Sequence, residues 1–264
     1  MSKKRNQKYF RGTEEDYLKR QIRLHPRHVV IPEGCWMCGV KGVDMSDEHI
    51  FPIWLLDKLN CKNQLYYSTH AEFTGRIIDR RKIPLGNFVC GRICRSHCNE
   101  GWMGELEKEV KGVYDSGWRK GINKNQTLLA RWLAKTATTL NASQQFRVMV
   151  PALARHGLIN REVLPEGWLI YVFDCKTREP AINWLQGGSV IATNTSRGDS
   201  KTAGQIFRCA LKLGDLGAMV FWKPPEIKDI IPARPYKKIW PTIDEGLPKA
   251  EWDAHTGVAS HAIL

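Results

Sequence analysis

Downstream of residue 99, Trp102, Met103, Leu106 and Val110 recur at helical spacing while Glu105, Lys108 and Glu109 fill the positions between them. That pattern predicts an amphipathic helix with one packed face. Leu128, Leu129, Trp132, Leu133, Thr136, Ala137 and Leu140 share one face of a second helix, which is expected in the core. From about residue 148 the pattern changes to short apolar runs: W-L-I-Y-V-F at 168–173, S-V-I-A-T at 189–193, Q-I-F-R-C-A-L-K-L at 205–213 and A-M-V-F-W at 218–222. Gly- and Asp-rich turns separate these runs, and strands joined in this way predict an antiparallel sheet.

Shorter signals complete the outline. T-E-E-D at 13–16 reads as a helix start, capped by Thr13, with a basic helix running to about Leu24 and ended by Pro26. P-I-W-L-L-D-K-L at 52–59 predicts a short helix with Pro52 at its first position. R-I-I-D-R-R-K-I at 76–83 is strand-like and sets Arg76, Arg80, Arg81 and Lys82 among apolar residues, as a charged edge or as a contact for a phosphate backbone. Beyond Pro224 the chain carries Pro232, Pro235, Pro241 and Pro248, which predict an extended tail, draped or disordered. The fold class is therefore α+β. Its expected parts are a basic arm at 1–30, a cysteine-bearing domain with a helical extension at 31–145, an α+β region at 146–225 and a Pro-rich tail at 226–264.

Composition narrows the partners. The 264 residues are 42% hydrophobic, enough for a real core, and carry a formal charge of +13 with a pI near 9.4. Such a balance favours polyanionic partners, nucleic acid first, over a basic membrane-surface role. No stretch approaches the roughly 20 apolar residues needed to span a bilayer, and no apolar run follows the basic start, so a cytoplasmic protein is expected.

Eight cysteines in a chain of this size, with no export signal, read as reduced thiols rather than a disulfide framework. Cys35 and Cys38 lie in C-W-M-C-G, and Cys94 and Cys98 in C-R-S-H-C-N, spacings that suit a tetrahedral zinc site. His97 is the alternative fourth ligand, and Cys90 is near. Cys61, Cys175 and Cys209 are isolated, and the last two fall in apolar segments, where an unliganded Cys behaves as a small buried hydrophobe. Closing such a site would draw the Glu48–His49 strand against the helix start that carries Asn99. A carboxylate, an imidazole and a carboxamide around one small space suit metal-assisted phosphodiester hydrolysis.

C-W-M-C, D-E-H-I-F-P-I-W-L and C-R-S-H-C-N-E-G-W-M, in that order across roughly residues 35 to 107, resemble the HNH endonucleases, specifically the zinc-stabilised members. The resemblance implies a ββα-metal core, treble-clef-like, with Cys35, Cys38, Cys94 and Cys98 as structural zinc ligands. It further implies His49 as the general base, and Glu48 and Asn99 as oxygen ligands to one catalytic Mg²⁺ or Mn²⁺. The family more often has Asp before the histidine, so Asp47 is a second candidate ligand. Asn87 is the nearest match to the middle Asn, in a role orienting His49. Arg92 and Arg95, flanking the second cysteine pair, are candidate phosphate contacts beside Arg76, Arg80, Arg81 and Lys82. The implied substrate is DNA, with RNA left open, in a phage or bacterial defence setting. A nucleic-acid-binding module without chemistry, and an effector subunit activated by a partner protein or second copy at the C-terminal half, are the competing readings.

Overall fold

The structure is a computed structural model that describes residues 34–71, 77–143, 149–160, 163–175, 180–194, 200–225, 237–241, 249–250, 252–253 and 258–259. The basic arm at 1–30, and Arg76 with it, lie outside the described residues, as does most of the tail. Strand β1, Met45–His49, pairs antiparallel with β4, Val89–Cys94. Between them the chain makes α1, Ile53–Lys58, and the hairpin of β2, Leu65–Ala71, with β3, Ile77–Pro84. Pro52 stays extended just before α1, and its carbonyl accepts from the amides of Leu55 and Leu56. Proline suits that place because it has no N–H to leave unpaired.

The predicted amphipathic helix begins unevenly. Residues Arg95–Met103 are wound more loosely than an α-helix and break at Gly101, with φ −82° and ψ −118°. A β-carbon on Gly101 would stand 2.7 Å from the Ser96 carbonyl oxygen, so the break depends on glycine. From there α2, Gly104–Asp115, buries Leu106, Val110 and Tyr114 as the spacing predicts. A short α3, Trp118–Gly121, precedes α4, Gln126–Ser143.

Helix α4 differs from the one-sided reading of its sequence. Thr138, Thr139, Asn141 and Lys135 are buried along with the apolar face. The cause is its place in the middle of the molecule, where it meets α2 and β4 as well as the large sheet. Its residues 134–139, A-K-T-A-T-T, are small except for Lys135 and keep the helix thin on every side, which allows that close packing.

After α5, Ala152–His156, come β5, Trp168–Cys175, β6, Ile182–Asn194, β7, Ser200–Leu213, and β8, Leu216–Trp222. They form a sheet in the order β5–β8–β7–β6, antiparallel at each step. All four apolar runs are thus strands, as expected. Part of the tail extends the sheet: β9, Lys237–Trp240, lies antiparallel along β5, and β10, Lys249–Ala250, continues beside it in parallel. A separate ribbon joins β11, Trp252–Asp253, to β12, Val258–Ala259. Strand β5 is buried on both faces. Trp168, Ile170 and Val172 join the main core, which also takes in Cys35, Trp102 and Trp132, while Leu169, Tyr171 and Phe173 pack with Met219 and Phe221 on the other side. The molecule is α+β, and no helix among the described residues is long and apolar enough to cross a membrane.

Candidate metal centre and the polar pocket beside it

Cys35, Cys38, Cys94 and Cys98 converge so that their sulfur atoms all lie within 4.8 Å of one another. The Cys35 and Cys98 sulfurs are 3.8 Å apart, and those of Cys38 and Cys94 are 3.5 Å apart. A tetrahedron with metal–sulfur bonds of about 2.3 Å has edges of roughly 3.8 Å, so these spacings match a thiolate cage rather than disulfides, whose S–S bond is about 2 Å. The four cysteines could hold a metal ion, and the set is compatible with a structural zinc. His97 is exposed and stands outside the cluster, whereas Cys98 is fully buried within it. Cys90 is also outside, its thiol pushed up to about 12 by burial first and then by Glu48. The Cys35 thiol is pulled down to about 4, chiefly by its hydrogen bond with Cys98 and with the Cys94 amide contributing at 3.2 Å, while Cys38 is pushed up to about 11 by burial first and Cys98 is pushed up by Cys35 and by burial. Binding a metal ion requires all four as thiolates and so would release protons. Cys175 and Cys209 are buried, as the sequence suggested, and so is Cys61.

The cage fixes the chain around it. Trp36 donates its amide to the Arg92 carbonyl, 2.9 Å, and Arg155 stacks its guanidinium 4.0 Å from the centre of the Trp36 ring while donating to the Trp36 carbonyl. Between the pairs Ser46–Ile93 and Glu48–Cys90, two residues of β4, Gly91 and Arg92, face the single residue Asp47. This is a β-bulge, and Arg92 takes the left-handed conformation with φ 61°. A β-carbon on Gly91 would stand 3.3 Å from an Asp47 carboxylate oxygen, so Asp47 lies over the bulge. No signal in the sequence announced it.

Asn99 reaches back from the helix start to this strand. Its Nδ2 donates to the Ser46 hydroxyl at 2.9 Å and to the Asp47 carbonyl at 3.0 Å. Together Met45, Ser46, Asp47, Arg92, Arg95 and Asn99 line an open pocket of about 380 Å³. Arg95 is held there by Asp44 at 2.6 Å and Glu100 at 3.7 Å.

Glu48 turns the other way. Its carboxylate is buried and accepts from Lys135, a fully buried residue of α4, which also reaches Glu107 at 2.7 Å. Burial alone would lower the Lys135 pKa, but the charges of Glu107 and Glu48 outweigh it and hold the ammonium above the ordinary lysine range. Glu107 is pushed up, by burial first and by Glu48 as well, with Lys135 acting against both. His49, half-buried at the end of β1 and paired with Val89, is close enough for its charge to act on Glu107. No hydrogen bond joins His49 to Asn99 or to Asn87 among the described residues, and Asn87 is exposed in the turn Leu85–Asn87.

The structure therefore brings Asn99 and Asp47 into one pocket with Arg92 and Arg95, and places Glu48 beside a buried lysine, with His49 in neither group. Sequence reasoning missed Lys135 and Glu107. The signal was present: a lone lysine inside W-L-A-K-T-A, where burial demands a partner. Of the other candidate contacts, Lys82 is exposed and lies 5.4 Å from the centre of the Tyr67 ring, its cross-strand partner, and Arg80 and Arg81 fall within β3. No family model, curated protein or solved structure matches this chain.

Proposed function

We propose that the chain is a metal-dependent endonuclease of the HNH type that hydrolyses DNA phosphodiester bonds. The observation that carries this reading is the four-cysteine cage, which clamps the strand bearing Asp47, Glu48 and His49 to the helix start bearing Asn99. An antiparallel ribbon running into a helix, with that clamp at its base, is the arrangement the resemblance implies. The high positive charge suits the substrate.

In this reading His49 takes a proton from water, a task suited to an imidazole. The water oxygen bonds to phosphorus as the P–O3′ bond breaks in line, and the 3′ oxygen is protonated by solvent. Arg92, and Arg95 when it exchanges a carboxylate for phosphate, hold the flanking charge. A divalent ion would supply charge neutralisation at the phosphate. Its oxygen ligands fit the site in one particular way: the Asn99 carboxamide oxygen is not used in the bonds to β1, and Asp47 shares its pocket. Glu48 is turned away from this pocket and has an ammonium beside it, so we assign the ligand role to Asp47 and Asn99 and leave Glu48 to its pair with Lys135.

Incubating the protein with supercoiled plasmid, with and without Mg²⁺ or Mn²⁺, tests this directly. The expected result is metal-dependent nicking that His49→Ala abolishes while metal content is kept, and that Asp47→Asn lowers more than Glu48→Gln. Nicking retained by His49→Ala would remove His49 from its role, and no nicking under any cation would leave a binding module.

A further inference from the structure

Arg155, in α5, is 5% exposed, and no carboxylate acts on it among the described residues. Its Nη1 donates to the Trp36 carbonyl at 2.8 Å, its guanidinium lies 4.0 Å from the centre of the Trp36 ring, and its Nε is buried with no hydrogen-bond partner. One carbonyl and one ring do not balance a full charge taken out of water. Two other buried cations do have carboxylates nearby: Lys135 has Glu48 and Glu107, and Arg131 feels the charge of Glu109. Burial pulls the Arg155 pKa down to about 10, and the groups that act the other way are the thiols of Cys35 and then Cys90.

The cage therefore stands where a carboxylate is missing. A divalent ion in four thiolates leaves about two net negative charges. Cys35 and Cys98 are almost sealed from water, so solvent does little to offset them. The Cys94 amide, donating to Cys35 Sγ at 3.2 Å, offsets a part, and a fixed cation in the same buried layer offsets more. Trp36 follows Cys35 directly and carries the guanidinium on its ring, so the ligand segment itself sets where Arg155 lies. Gly39 has φ 76°, and a β-carbon there would stand 3.1 Å from the His156 ring, so this glycine leaves room for α5 to close over the Cys35–Gly39 turn. On its other side α5 is tied to the large sheet: Trp168 of β5 donates its indole N–H to the Ala154 carbonyl at 3.3 Å.

We propose that Arg155 is the counter-charge of the metal–thiolate centre, which is thus completed by a residue from outside the segment 31–145 expected to form the cysteine-bearing domain. Arg155 is no ligand. It acts on the sulfur atoms through space and favours the deprotonated state of all four. Metal binding and the seating of α5 on the cage are then linked, each strengthening the other. The inference concerns the cage alone and does not rest on the nuclease reading.

Chelator competition on the full chain measures zinc affinity in wild type, Arg155→Gln and Arg155→Lys. Gln keeps a donor for the Trp36 carbonyl without the charge, and Lys keeps the charge without the planar fork. Arg155→Gln should bind zinc about 10–100-fold more weakly, the usual loss for a partner lying outside the ligand shell, and Arg155→Lys should recover most of that loss. Cobalt substitution gives a readout that packing would not move. A cation beside the sulfurs lowers the energy of their lone pairs, so its loss should move the thiolate-to-cobalt charge-transfer band to longer wavelength in Arg155→Gln and leave it in place in Arg155→Lys. Equal behaviour of the two variants, whether both match wild type or both lose metal, would overturn the counter-charge role, as would an unshifted band in Arg155→Gln.

Discussion

Lys135→Met deletes the one cation between two carboxylates that the fold has taken out of water. Glu48 is 6% exposed and Lys135 is fully buried, so little solvent can enter to replace the ammonium. Breaking a buried ion pair by removing one partner costs about 3–5 kcal/mol. For a chain of this size that corresponds to a fall of roughly 6–20 °C in Tm. The loss should depend on pH in a definite sense. Burial and the Glu48 charge already push the Glu107 carboxyl up, and without the ammonium that opposes them it rises further, so the folded variant gains relative stability as Glu107 takes up a proton. Its deficit against wild type should therefore narrow between pH 8 and pH 6, in thermal unfolding followed by circular dichroism. Adding Glu48→Gln and Glu107→Gln to Lys135→Met should recover much of the loss, because uncharged groups of similar shape replace the whole set. A Tm within about 2 °C of wild type, or a deficit that does not change with pH, would refute the buried-charge argument.

Two further predictions concern the cysteine cage. Cys98→Ser should lower bound zinc well below one per chain and unfold the segment around it, whereas His97→Ala should keep full metal content, both read by metal analysis of purified protein. His156 packs its ring against Gly39, and its pKa is held down by burial first and by Arg155 next. A depressed folded value means that stability is fully present above the ordinary value of about 6.5 and is lost as pH falls through the folded one. Wild type should thus lose more stability between pH 7.5 and pH 5 than His156→Gln, and parallel losses in the two would exclude the histidine.

The readable parts of this chain were those in which residue type alone restricts the options. Thiols at 35, 38, 94 and 98 have few uses other than metal, and periodic apolar positions gave the strands at 168–173, 205–213 and 218–222 and the packed face at Leu106 and Val110. What could not be read was set by distant partners. The direction of Glu48 follows from a lysine 87 residues later, and no local pattern contains that information. The bulge at Gly91–Arg92 comes from a mismatch in pairing with β1, which is known only once both strands are placed. Strand β9 lies in a Pro-rich stretch and forms because the edge of β5 is available to it.

Strands β1 and β4 pair beside the sulfur cage, and between them the chain puts Ile50, Phe51, Leu55, Leu56 and Leu85 into the main core on either side of the β2–β3 hairpin. Closing such a span costs entropy that grows only with the logarithm of its length. The hairpin is steadied at its near end by Tyr66, stacked 4.4 Å from Trp184 and hydrogen-bonded to Asn183. The hairpin can therefore be lengthened or shortened at little entropic cost while the core residues on either side of it, and the cage beyond, stay where they are.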